Sequence, residues 1–277
     1  MSVARLEDGS DVLHLTEANG FFVQSLDTGY PTARAVVDNR AGADGTYDST
    51  QYFGNRTVSI FLRAVGNRRV AFEQLSRFLR PITRPYLYYT LDGVERRILL
   101  RANARSAAFT GTPNSQEMLA QWVAPDGVIE AATETVAVAQ ATSGVEDGRT
   151  YDLTFNRTYA ATAPVGSVTV TNAGTTFAQE FEIQLHGPCT NPVIQNLTTG
   201  EQLRFLTSLT SGQFLQINVR DKTVRLNGLA TQNRYNTLDF AVSNWFSLPP
   251  GPSTLRYQPD SITVGAFARV SFRSSWI

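Results

Sequence analysis

Along most of the chain, apolar residues take every second position in short runs that turn residues interrupt, the pattern of half-buried strands in sandwiches and barrels. Val58, Ile60 and Leu62 share one face while Thr57, Ser59 and Arg63 take the other, which predicts a strand. Tyr86 to Thr90 and Arg97 to Ala102 flank Asp92-Gly93, a pair suited to the positive φ of a tight turn, so a two-stranded ribbon is expected. Later, Val168 and Val170 alternate, then Phe181, Ile183 and Leu185, before Gly187-Pro188 interrupts. The clearest hairpin follows: Leu215, Ile217 and Val219 face one side, Asp221-Lys222 turn the chain, and Val224 and Leu226 return to the same core. Ala268, Val270, Phe272, Ser274 and Trp276 alternate down to the last residues, which predicts a core strand there.

One segment has a different period. From Arg68 to Arg80 the apolar positions Ala71, Phe72, Leu75, Phe78 and Leu79 fall three and four apart, predicting a helix capped by Asn67 and stopped by Pro81. Its Phe72, Leu75 and Leu79 face is expected against the first sheet. From 126 to 160 the composition shifts to Ala, Thr, Val and Gly, which predicts an extended arm or linker able to pair with a neighbour's sheet edge. The fold class is therefore mainly β. A β-rich N-terminal domain with one principal α-helix spans 1–160, including the arm, and a C-terminal β-sandwich spans 161–277.

Charge and rare residues narrow the chemistry. Lys plus Arg and Asp plus Glu both number 24, so there is none of the basic excess that non-specific nucleic-acid binding needs. Lys222 is the only lysine, an arginine bias that suits a GC-rich genome. The first twenty residues lack the basic and apolar regions of a secretory leader, and no run approaches the roughly 20 apolar residues of a membrane-spanning helix. Cys189 is the only cysteine, and with only His14 and His186 beside it a usual structural zinc set is excluded. Neither histidine lies in a recognised catalytic motif, so both are read as structural. Asp38, Asp44 and Asp48 lack the spacing of a calcium loop and are read as a turn held by Gly42 and Gly45. Glu180 and Glu182 are spaced to share a strand face and are read as exposed there. The glycosylation triplets at Asn55, Asn156 and Asn196 are set aside for want of a leader. No cofactor and no metal site are expected.

A series of C-terminal motifs stands in a telling order. It runs Asn172-Ala173-Gly174, Gly187 to Ile194, Asn196 to Gly200, Gly212 to Val219 with the hairpin to Leu226-Asn227-Gly228, Leu248 to Gly251, and Arg269 to Trp276. Together these resemble the C-terminal domain of siphophage distal tail proteins. Gly45 to Asp48, Tyr52 to Arg56, the helix ending at Pro81 and the ribbon from Tyr86 resemble that family's ring-forming N-terminal domain. The segment from Asp126 to Ala160 departs from it by its length. The resemblance implies a structural, non-enzymatic virion protein: a homohexameric ring at the distal tip of a non-contractile phage tail, with galectin-like C-terminal domains projecting as docking sites. Implied partners are the major tail-tube protein, the tip hub or a tail-associated protein, the tape-measure protein and receptor-binding proteins. Phage DNA passes only through the lumen, no membrane is involved, and assembly takes place in the host cytoplasm.

A closed ring needs one patch to bind a different patch on its neighbour. The ribbon residues Tyr86, Leu87, Tyr88 and Tyr89, with Val128, Val136 and Val138 of the arm, are the candidate subunit interface. Three alternatives remain: a carbohydrate-binding module for host attachment contacting sugar through Trp245 and Tyr257, a tail-associated hydrolase using Glu180 and Glu182, and a major tail-tube protein.

Overall fold

Strand alternation becomes layered packing in a computed structural model that describes residues 4–34, 44, 52–109, 116–141, 166–262 and 265–277. Two compact units divide the chain, Met1–Thr133 with Trp276–Ile277, and Glu134–Ser275.

The first unit contains β1 (Ala4–Asp8), β2 (Asp11–Leu15), β3 (Phe21–Asp27), β4 (Ala33–Arg34), β5 (Tyr52–Phe53), β6 (Arg56–Ala64), α1 (Arg68–Ser76), β7 (Tyr86–Leu91), β8 (Val94–Leu99), β9 (Arg101–Phe109), β10 (Glu117–Ala124) and β11 (Ile129–Ala131). One sheet runs β2-β1-β7-β8-β11 and is completed by β24 (Ser275–Trp276) at the end of the chain; another runs β3-β6-β10-β9. The predicted strand is β6, whose Val58, Ile60 and Leu62 are fully buried, facing the same core as Leu6, Leu87, Ile98 and Trp122. The predicted ribbon is β7–β8, and Asp92 and Gly93 take φ of 51° and 78°, as its two-residue turn requires.

Helix α1 starts where expected, with the Asn67 side chain accepting from the Arg69 amide at 3.0 Å. It ends earlier, because Arg77–Leu79 tightens into a 3₁₀ turn. Ala71, Leu75 and Phe78 are buried, while Phe72 and Leu79 are only partly so. The buried Trp122 indole donates to the Phe78 carbonyl at 3.0 Å and ties this turn to β10.

The second unit contains β12 (Thr135–Gln140), β13 (Ser167–Asn172), β14 (Phe181–His186), β15 (Cys189–Thr190), β16 (Val193–Asn196), β17 (Glu201–Arg204), β18 (Ser208–Leu209), β19 (Phe214–Asn218), β20 (Thr223–Leu226), β21 (Gly251–Tyr257), β22 (Ser261–Ile262) and β23 (Phe267–Phe272). Sheets β12-β23-β14-β19-β20 and β13-β21-β16-β17 enclose one apolar core, and a small sheet β18-β15-β22 completes the unit. The predicted hairpin is β19–β20, with Leu215 opposite Leu226 and Ile217 opposite Val224. Of the predicted C-terminal strand, Ala268 to Phe272 lie in β23, which pairs on both sides, while Ser275–Trp276 form β24 in another sheet.

The division between units falls at Thr133 rather than near residue 160. The cause is β12: Thr135 to Gln140, expected in an extended arm, pair residue by residue with Phe272 to Phe267 and bury Ala139. Ile129–Ala131 likewise pairs with β8 through Glu130 and Ala131. The remainder of the expected arm, from 142 onward, lies outside the described residues, as do Asp38 and Asp48.

Leu75 has no solvent exposure. Leu75→Asp is expected to lower the unfolding free energy by about 3 kcal/mol or more, through the lost apolar contacts and the unpaired buried charge, whereas Leu75→Met should cost less than about 1.5 kcal/mol. Urea denaturation followed by circular dichroism measures both.

Candidate functional site

A cavity of about 280 Å³ in the first unit is lined by Asp11, His14, Asn19 and Arg77 among others, and the candidate surfaces named from the sequence lie on sheet faces. In the six-stranded sheet, β7 lies between β1 and β8 and its side chains alternate. Leu87 and Tyr89 point into the core at 0% and 5% exposure, which removes them from the candidate interface. Burial pushes the Tyr89 phenol up, against the opposing charges of Arg96 and Arg56. Tyr86 and Tyr88 are half-buried on the opposite face and form a charge-laced patch. The Arg5 guanidinium lies 4.1 Å from the Tyr88 ring centre and bonds to Glu7 and Glu95. Arg97 lies 4.5 Å from the Tyr86 ring centre and forms a buried ion pair with Glu130 at 3.0 Å. Arg96 sits over the Trp276 ring at 4.4 Å, so the last aromatic residue is anchored in the first unit.

Among the described residues, the most exposed aromatic side chains of that unit are ones the alternation does not single out. Tyr30, Tyr52 and Phe53 stand at 72%, 65% and 52% exposure on and beside the short ribbon β4–β5. Strands of two residues are too short to show a period. Beneath the ribbon the chain packs closely: a Cβ on Gly127, whose φ is 62°, would run into the Gly54 carbonyl. The Gly127 carbonyl accepts from Arg56 Nε at 2.8 Å.

In the second unit, Val136 and Val138 stand 44% and 47% exposed on the outward face of β12, an edge strand of the five-stranded sheet. Val128, in the first unit, is half-buried. The two proposed sugar contacts fare differently from expectation. Tyr257 is fully buried, because β21 places it on the same inward face as Ser253 and Leu255. Its hydroxyl lies 3.1 Å from Cys189 Sγ and donates to the His186 carbonyl at 3.2 Å, and burial pushes both the phenol and the Cys189 thiol up. It cannot stack on a ligand. Trp245 is half-buried and stacks on Tyr235, with ring centres 6.3 Å apart and planes 11° apart.

Glu180, Glu182 and His186 are held by neighbours. Glu180 precedes β14 and accepts from Arg273 at 3.0 Å, while Glu182 accepts from the Gln184 and Gln216 amides at 2.8 and 2.7 Å. They therefore do not stand side by side on an open strand face. His14 is exposed on β2. His186 is sandwiched between Phe267 and Phe214, at 4.2 and 4.9 Å between ring centres. Asn196 is fully buried, its side chain accepting from the Thr198 and Thr199 amides. Among the described residues, no group of three or more His, Cys, Asp or Glu could hold a metal ion, and no helix is long and apolar enough to cross a membrane.

With this geometry in place, comparison with known proteins is informative. Residues 166–276 match the family profile SPP1_Dit, described as siphovirus-type tail component, C-terminal domain. The Dit protein (gp 19.1) of phage SPP1, described as a paradigm of the hub adsorption apparatus in phages infecting Gram-positive hosts, superimposes with a TM-score of 0.67 at 14% identity. The match covers 99% of this chain and 100% of that one. A chain from the phage P2 baseplate in its activated conformation with Ca matches with a TM-score of 0.50 at 13% identity, over 99% of this chain and 98% of that one. Comparison with curated protein sequences gives no match. At such identities the structural likeness establishes the fold. With the family profile it bears out the resemblance to siphophage distal tail proteins.

Burial, and then the charge of Arg269, hold the His186 imidazole below its ordinary 6.5. As pH falls the unfolded chain takes up this proton before the folded one, so stability is present above about pH 6.5 and is lost as pH falls from there through the lowered folded value. His186→Phe, which keeps the stack, is expected to remove this component of the pH dependence. Urea midpoints compared at about pH 5 and pH 7.5 for the two proteins measure it.

Proposed function

We propose that this chain, whose residues 166–276 match the siphovirus-type tail component profile, is a structural, non-enzymatic protein of the distal tip of a non-contractile phage tail. It assembles in the host cytoplasm into a homohexameric ring joining the tail tube to the tip hub or baseplate. The first units, with strand β12 of the second, form the ring, and the other faces of the C-terminal sandwiches, read as galectin-like, offer docking sites to neighbouring tail proteins. These include the tail-tube, hub, tape-measure and receptor-binding proteins, while DNA passes through the lumen. The observation that carries this reading is the end-to-end likeness to the hub protein Dit of phage SPP1, over 99% and 100% of the two chains, joined to the family match of the C-terminal unit.

Two surfaces support ring closure, which needs two different patches on each subunit. One is the Tyr86–Tyr88 face, where large rings carry paired arginines. The other is β12, an uncharged edge strand with Val136 and Val138 outward; edges of this kind are normally covered. Val128 joins the candidates as a half-buried apolar position in the first unit.

Light scattering after size-exclusion chromatography, with negative-stain imaging, tests the reading. The expected result is ring-shaped particles of about six times 30.4 kDa. A species that stays monomeric at high concentration and in the presence of its tail-tip neighbours would oppose it. Val138→Asp is expected to abolish rings while leaving a folded monomer; intact rings from this variant would remove β12 from the interface.

A further inference from the structure

Register places Arg269, Gln184, Gln216 and Arg225 in one row across four strands of the five-stranded sheet. Alternation turns the row outward, since the neighbouring Val270, Ile183, Ile217 and Val224 are fully buried. With adjacent strands about 4.8 Å apart, the two arginines stand about 14 Å apart. Both are exposed, and neither has a carboxylate partner among the described residues. In the next row, Glu182 holds the amides of Gln184 and Gln216 at 2.8 and 2.7 Å and fixes their orientation.

At β20 the row opens into a cavity of about 360 Å³, lined by Lys222, Thr223, Arg225, Asn233 and Tyr235 among others. Tyr235 is held from behind by the stacked Trp245. The surface thus combines three cations, Lys222, Arg225 and Arg269, with one hydrogen-bonded carboxylate, fixed amides, a hydroxyl and an aromatic wall. Cations spaced along a row suit a chain with repeated anionic groups, and the amides and hydroxyl suit its alcohols. A peptide would need apolar anchor pockets, and the cavity offers Val224 and Ala230 as its only aliphatic lining.

We propose that this face binds an acidic oligosaccharide, its carboxylates meeting Arg225, Arg269 and Lys222 and its hydroxyls meeting Gln184, Gln216 and Asn233. Trp245 acts as a support for Tyr235, and Tyr257 takes no part. The site lies within one sandwich, and its row continues into Val138 of β12, opposite Arg269, so a ring contact through β12 would border it.

Titrating the full chain with galacturonate oligomers by calorimetry tests this. Saturable binding is expected that weakens with added salt and is absent for an uncharged galactan oligomer. Arg225→Gln and Arg269→Gln, each checked for folding by circular dichroism, should each weaken binding at least ten-fold, while Arg69→Gln on α1 should leave it unchanged. Because Lys222 is the only lysine, its acetylation followed by mass spectrometry gives a second readout, with the oligomer expected to protect it. Absence of saturable binding would overturn the proposal, as would affinity unchanged in both arginine variants or an unprotected Lys222. Equal binding of poly-glutamate with the same arginine dependence would overturn it in favour of an acidic peptide.

Discussion

Hydrogen bonding of β23 along both edges is the constraint on which the C-terminal unit depends. Phe272 to Phe267 pair with β12 on one side and β14 on the other, and Ala268, Val270 and Phe272 between them are fully buried. A central strand supplied by the end of the chain means that the sheet closes only when segments more than a hundred residues apart meet, a non-local pairing with a large entropic cost before contacts repay it. The same strand decides which unit β12 belongs to, and so where the boundary falls. Just beyond it, Trp276 joins the first unit beneath Arg96.

Buried polar groups fix this arrangement more sharply than apolar ones can. Asn172, 2% exposed, donates to the Thr176 and Leu248 carbonyls and accepts from the Gly174 and Ser275 amides. One side chain thus satisfies backbone groups of separate loops, and an apolar replacement would leave them unpaired in the interior. In the first unit, Trp122 does the same for the end of the 3₁₀ turn. Because these bonds depend on direction, they select one packing among the many that alternation alone permits.

Both units place their chemistry on sheet faces, away from enclosed cavities. Outward rows carry paired arginines and carboxylates in the first unit and unpaired arginines with fixed amides in the second. Such faces suit recognition, because broad, rigid arrays of donors favour docking.

Period 2 and the turn residues by themselves determined strands β6, β13, β14 and β23, the β7–β8 and β19–β20 hairpins and the start of α1. These are local properties: alternation, a positive φ at Asp92-Gly93 and an Asn67 cap act within a few residues. Motif order carried the family. Which strands pair, and hence which face of a strand meets solvent, only the tertiary structure decided. Leu87 and Tyr89 differ from Tyr86 and Tyr88 by side of one sheet, and no count along the chain says which side is covered. Tyr257, expected to meet a sugar, alternates in step with Leu255 and is buried with it. Arg225 and Arg269 lie 44 positions apart in sequence and become one row only because β19, β14 and β20 register as they do. Pairing between distant segments is set by the summed burial of all of them, a quantity that no single stretch of sequence contains.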